Sequence, residues 1–227
     1  MSLALDHVFC FVDSDGRDVA AVERAGFVVS GEHSHHDQGT SARFCVFPEH
    51  YLEWIWLRSR EQAEANDLRL DRRADWRTTG ACPFGLGLRG PVEPGDRDDF
   101  RPYRPKYRPG DSPPLLVPRL AWTPGPLPML FTFEGYEKFR LEDMPPRRQP
   151  RFADGKLFAH PHRPVGIAAV EVTVPCEVPA AFGRLVPRVT IRRGAAFALD
   201  VTLEAEPFDP IALFGLVTIR SDGSVRA

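Results

Sequence analysis

Sixteen of the 23 prolines fall between Pro91 and Pro164. Proline lacks a backbone donor and clashes with the preceding helical turn, so this segment cannot hold long helices or central strands. Regular structure is therefore expected on the two flanks. The segment between them reads as a long wrap with one strand at 129–133.

The N-terminal flank opens with LALDHVFCFV at 3–12, a strand that places Leu5, His7, Phe9 and Phe11 on one face. Asp13-Ser14-Asp15-Gly16 turns into a short helix over 18–25, closed by Gly26. A second strand is expected at 27–30, then a loop carrying His33, His35 and His36. Two aromatic-rich strands follow at 40–47 and 51–57, joined by Pro48-Glu49-His50. In the latter, Tyr51, Glu53, Ile55 and Leu57 share one face, and Leu52, Trp54 and Trp56 the other. Glu53 thus stands alone in an apolar strand. A buried lone carboxylate is costly unless it meets a cation, a donor or a metal.

Beyond this β-α-β-β-β order, 59–77 reads as a solvated helix and 83–89 as a strand softened by glycines. The C-terminal flank repeats the order. Strands are expected at 167–174, 188–192, 196–204 and 211–220, with a short helix at 178–185. Laying 6–12 on 168–174 and 51–59 on 213–221 keeps the pleat in phase. The expected fold is α+β: two βαβββ modules, at 1–59 and 165–227, forming a curved-sheet cup. Residues 60–164 supply a helix and a proline-rich connector or lid.

LDHV near the start, Gly26-Phe27 after the helix, HDQGTSARF and YLEW resemble the glyoxalase-like domain of the vicinal oxygen chelate superfamily. Many members bind a divalent metal through one residue from each first and last strand. The resemblance therefore implies His7 and Glu53 as ligands, for Fe, Mn, Ni or Zn. At the matching positions of the C-terminal flank stand Ala169 and Gly215, which cannot ligate; Glu171, His160, His162 and Glu134 are the groups able to repair the set. The implied activity is a lyase, isomerase or ring-cleavage reaction on a small oxygenated molecule. An electrophile, either the metal or His7 with Arg43, would stabilise an enolate while Glu171 or Glu53 moves a proton. The same cup could serve a non-catalytic binder that sequesters an antibiotic-type molecule, and the proline-rich segment could serve an interaction module. A homodimer is implied by analogy.

Other candidates come from the residues themselves. His36, Gln38 and Thr40 surround a glycine that allows close backbone approach and would wall a substrate. Arg43 would clamp an oxyanion if its face points into the cup. His160 and His162 would reach in from their loop. A net charge of −2 and a pI near 6.4 give no reason to expect nucleic acid or an anionic membrane. Phosphate loop, dinucleotide fingerprint and Ser-His-Asp triad are absent from the sequence, so no nucleotide cofactor is expected. The four cysteines form no CxxC pair, and no leader or membrane span stands out, which fits a reducing cytoplasm.

Overall fold

The structure, a computed structural model, describes residues 3–13, 16–106, 113–134, 141–143, 154–180, 182 and 188–225. Strand β1 (Ala4–Phe11) carries helix α1 (Val19–Arg24) after it. Strands β2 (His33–His35), β3 (Thr40–Val46) and β4 (Tyr51–Leu57) complete the first module, with β4 returning parallel to β1. The second strand lies later than expected. At Ser30 the backbone N–H donates to the Phe44 carbonyl while the hydroxyl accepts from the Phe44 N–H. The serine side chain thus takes the place of a ladder bond and keeps 27–30 irregular.

The partner of this module comes from residues 84–133. Strand β5 (Phe84–Arg89) pairs antiparallel with β1. It is followed by β6 (Phe100–Tyr103), β7 (Leu115–Pro118) and β8 (Met129–Phe133), and the eight strands run β2-β3-β4-β1-β5-β8-β7-β6. Both inner parallel pairs share one spacing: His7 faces Tyr51, and Gly85 faces Met129, forty-four residues on in each case. The expected boundaries at 60–164 and 165–227 are therefore redrawn. Prolines do not forbid these strands, because Pro102 sits on the edge strand β6 and Pro118 ends β7. Likewise, the single helix expected at 59–77 divides into α2 (Arg60–Ala65), α3 (Leu70–Ala74) and α4 (Trp76–Thr79), with Arg69 at φ 46° between the first two.

Residues 166–221 build a separate sheet from β9 (Gly166–Val174), β10 (Val189–Arg193), β11 (Ala198–Glu204), β12 (Ile211–Leu213) and β13 (Val217–Ser221), in the order β10-β9-β11-β13-β12. The strand expected at 211–220 is a hairpin. Phe214 and Gly215 both take positive φ, 59° and 66°, as the central pair of a turn that the Leu216 N–H closes on the Leu213 carbonyl. That turn defeats the overlay of β4 on this stretch. Most of the helix expected at 178–185 lies outside the described residues.

The expected α+β class, two modules rich in strands with few short helices, holds. Apolar cores cover both faces of the large sheet. Val8, Cys10, Cys45, Leu52, Trp54 and Trp56 pack with α1 and with Val170, Val172, Val201 and Ile219 of the small sheet. Phe9, Phe11, Phe44, Tyr51 and Ile55 pack on the opposite side with Leu68, Tyr103, Met129 and Phe131. All four cysteines are free. Among the described residues no helix is long and apolar enough to cross a membrane.

Candidate functional site

Strand alternation carries His7 of β1 and Glu53 of β4 to the same face of the large sheet, the face of Phe9, Tyr51 and Ile55. Both are buried, and His35 of β2 is buried beside them. Nε2 of His7 lies 3.6 Å from Oε2 of Glu53, and Nε2 of His35 lies 3.7 Å from Oε1. Each imidazole is oriented from its far side. His7 Nδ1 hydrogen-bonds Asp6 Oδ2 at 2.8 Å, so this nitrogen donates and Nε2 is the one turned to Glu53. His35 Nδ1 meets Thr40 Oγ1 at 3.1 Å, across the β2–β3 pair in which the two residues are partners. Asp6 is held ionised below its usual pKa: burial opposes this, but the His7 hydrogen bond, the His7 charge and Arg89 outweigh it.

Aromatic rings frame the group. The His7 ring stacks on Tyr51 at 4.3 Å, with Phe131 and Phe133 at 5.5 and 6.1 Å. The floor is Gly87, the β5 partner of His7. A Cβ there would stand 2.1–2.7 Å from three imidazole atoms. Gly87→Ala is expected to push the ring off its Tyr51 stack. The cost should be about 1–3 kcal/mol, with displaced His7 imidazole resonances in a 1H–15N spectrum, whereas Gly80→Ala, which meets nothing within 4 Å, should leave them in place.

The remaining candidates divide. Thr40 joins the group through His35. Gln38 donates to Tyr103 Oη at 3.3 Å, and His36 is exposed on the adjoining turn. Arg43 points to the other face, where it donates to the Ser30 carbonyl and to Glu23 of α1. Glu171 lies in the small sheet, half exposed and paired with Arg192 at 2.6 Å. His160 is a structural tie, accepting from the Val28 N–H and bonding the Val46 carbonyl. His162 packs on Phe208. Glu134 forms a two-pronged pair with Arg97. None of these last five is placed beside Glu53 by a contact among the described residues. The sequence reading did not assign Asp6, whose adjacency to His7 was the available signal. It read His35 as part of a loop, because a three-residue strand shows too little alternation.

Residues 5–87 match the family model described as a glyoxalase-like domain. Over these residues the chain is similar to a glyoxalase-like domain of the vicinal oxygen chelate superfamily. The match ends inside β5, so it covers the first module and the strand that joins the second. No curated protein matches the chain. Among solved structures, a hypothetical protein from Staphylococcus aureus is similar in fold, with a TM-score of 0.53 at 12% identity over 97% of this chain and all of that one.

The metal arrangement implied for a paired glyoxalase-like domain does not fit these residues. With the common spacing of the two modules, the positions of His7 and Glu53 fall on glycine (Gly85 or Gly87) and phenylalanine (Phe131 or Phe133) in the second. The two histidines face different oxygens of Glu53 rather than converging on one point. Among the described residues no three or more His, Cys, Asp or Glu side chains form a group that would hold a metal ion. Residues 83–89 contribute close approach instead of ligands.

Proposed function

We propose that this glyoxalase-like protein acts on a small oxygenated metabolite by moving a proton next to a carbonyl group. The supporting observation is the buried Glu53 carboxylate flanked by two imidazoles, each oriented from behind, by Asp6 and by Thr40. A proton placed between Glu53 and the imidazole Nε2 on either side, 3.6 and 3.7 Å away, would give the cluster a proton to pass on. In the proposed step the Glu53 carboxylate takes the α-proton of the substrate, the electron pair moves onto the carbonyl oxygen, and an imidazole N–H of His7 or His35 hydrogen-bonds the resulting enolate. Lyase and isomerase reactions of this kind share that enolate.

Deuterium wash-in tests the proposal. Small 2-oxo acids and α-hydroxyketones are incubated with the protein in D2O and followed by proton NMR. The wild type is expected to exchange an α-proton of at least one compound, and Glu53→Gln to slow it roughly 100-fold. Arg43→Ala, on the other face, should leave the rate unchanged. Exchange that survives Glu53→Gln, or none by the wild type, would replace catalysis by the non-catalytic binding reading.

A further inference from the structure

A concavity lies beyond the β2–β3 turn. It encloses about 660 Å3 and is lined by His36, Asp37, Asn66, Tyr103, Arg104 and Lys106, within the size range of small-molecule sites. Its polar groups are set by hydrogen bonds. Asn66 Oδ1 accepts from the Leu68 N–H, which fixes the amide so that Nδ2 donates to the Asp37 carbonyl at 2.9 Å and to Tyr103 Oη at 2.8 Å. Gln38 Nε2 donates to the same phenol oxygen. A hydroxyl has two acceptor positions and one proton. Both acceptor positions of Tyr103 are filled, so its O–H remains to donate. Burial raises the Tyr103 pKa, which keeps that proton in place at neutral pH.

Asp37 is the counterpart. Its Oδ2 accepts from the Lys106 N–H at 2.8 Å, whereas Oδ1 is buried with no hydrogen-bond partner among the described residues. A buried acceptor left unpaired is costly until a donor arrives. We propose that this concavity binds a small zwitterion, its ammonium group on Asp37 Oδ1 and its carboxylate on the Tyr103 O–H, with Lys106 and Arg104 adding positive charge to the lining. The volume leaves room for a substituent beyond the two charged groups. This site stands apart from the role of Glu53.

Isothermal titration with the common L-amino acids and their simple dipeptides as probes provides the test. At least one should bind saturably at millimolar concentration or below, and its N-acetyl derivative should not. Asp37→Asn and Tyr103→Phe, each checked for unchanged folding by circular dichroism, should weaken binding at least roughly tenfold. Glu53→Gln should bind as the wild type does, whether or not Glu53 moves protons. The proposal is overturned if no probe binds. It is also overturned if Asp37→Asn binds as tightly as the wild type, or if Glu53→Gln abolishes binding and so places the ligand in the buried cluster.

Discussion

Replacing Gly39 by alanine is expected to cost about 2–4 kcal/mol, the sum of a left-handed backbone penalty and an overpacking penalty. Gly39 has φ 68°, and a Cβ on it would stand 2.3 Å from the Ser59 carbonyl oxygen and 2.6 Å from the Ala63 backbone nitrogen. Both are backbone atoms, and a rotamer change cannot move them aside. The Gly39 carbonyl also accepts from the N–H groups of Arg58 and Ser59, so the turn is clamped to the end of β4 and the start of α2. Gly80→Ala is the matched control. It has φ 70° but open space around the added methyl, so it should cost only about 1–2 kcal/mol. A melting-temperature difference of several degrees between the two variants would measure the clash alone. Equal losses would mean that the turn yields. Because Gly39 separates Gln38, on Tyr103, from Thr40, on His35, its displacement should disturb both candidate sites together.

That turn also shows how far the sequence could be read. The glycine among His36, Asp37, Gln38 and Thr40 pointed to close backbone approach, and alternation in β1 and β4 placed His7 and Glu53 on one face. These inferences needed only local geometry. The partner of the first module was harder to find, because strand membership in β6, β7 and β8 depends on hydrogen bonds to chain far away in sequence. Proline marks what a residue cannot donate, but not whether its strand lies at an edge. Pro102 is tolerated because β6 has a neighbour on one side only. Conversely, the regular pattern of 166–221 suggested a cup wall, yet it belongs to a sheet that packs behind the first module. Glu171 alternates correctly and still faces Arg192, since the period of two cannot say which side of a sheet is enclosed. Arg43 is the same case: its face, shared with Cys45 and Phe47, is the one that α1 covers, and there it pairs with Glu23.

The seam between the first module and the small sheet should weaken on acidification. His50, in the β3–β4 turn, accepts the Ile167 N–H on Nδ1 at 3.0 Å, and the neighbouring Glu49 N–H donates to the Val165 carbonyl. Burial, reinforced by the charge of Arg89, lowers the His50 pKa to about 4. Burial also lowers that of His160, whose Nδ1 accepts the Val28 N–H. An imidazolium cannot accept, so protonation breaks both ties. The unfolded chain binds protons at its ordinary histidine pKa near 6.5, before the folded chain does. Stability is therefore full above that pH and falls as pH drops toward 4. The His50 shift alone corresponds to about 3 kcal/mol, and His160 acts in the same direction. Asp6 adds to the loss only below the ordinary carboxylate range, because its folded pKa is depressed. Urea unfolding midpoints measured between pH 7.5 and 4.5 should fall accordingly, while His50→Gln, which keeps an acceptor that does not titrate, should flatten the slope. A His50→Gln profile parallel to that of the wild type would assign the acid sensitivity elsewhere and leave the Ile167 contact without a role in it.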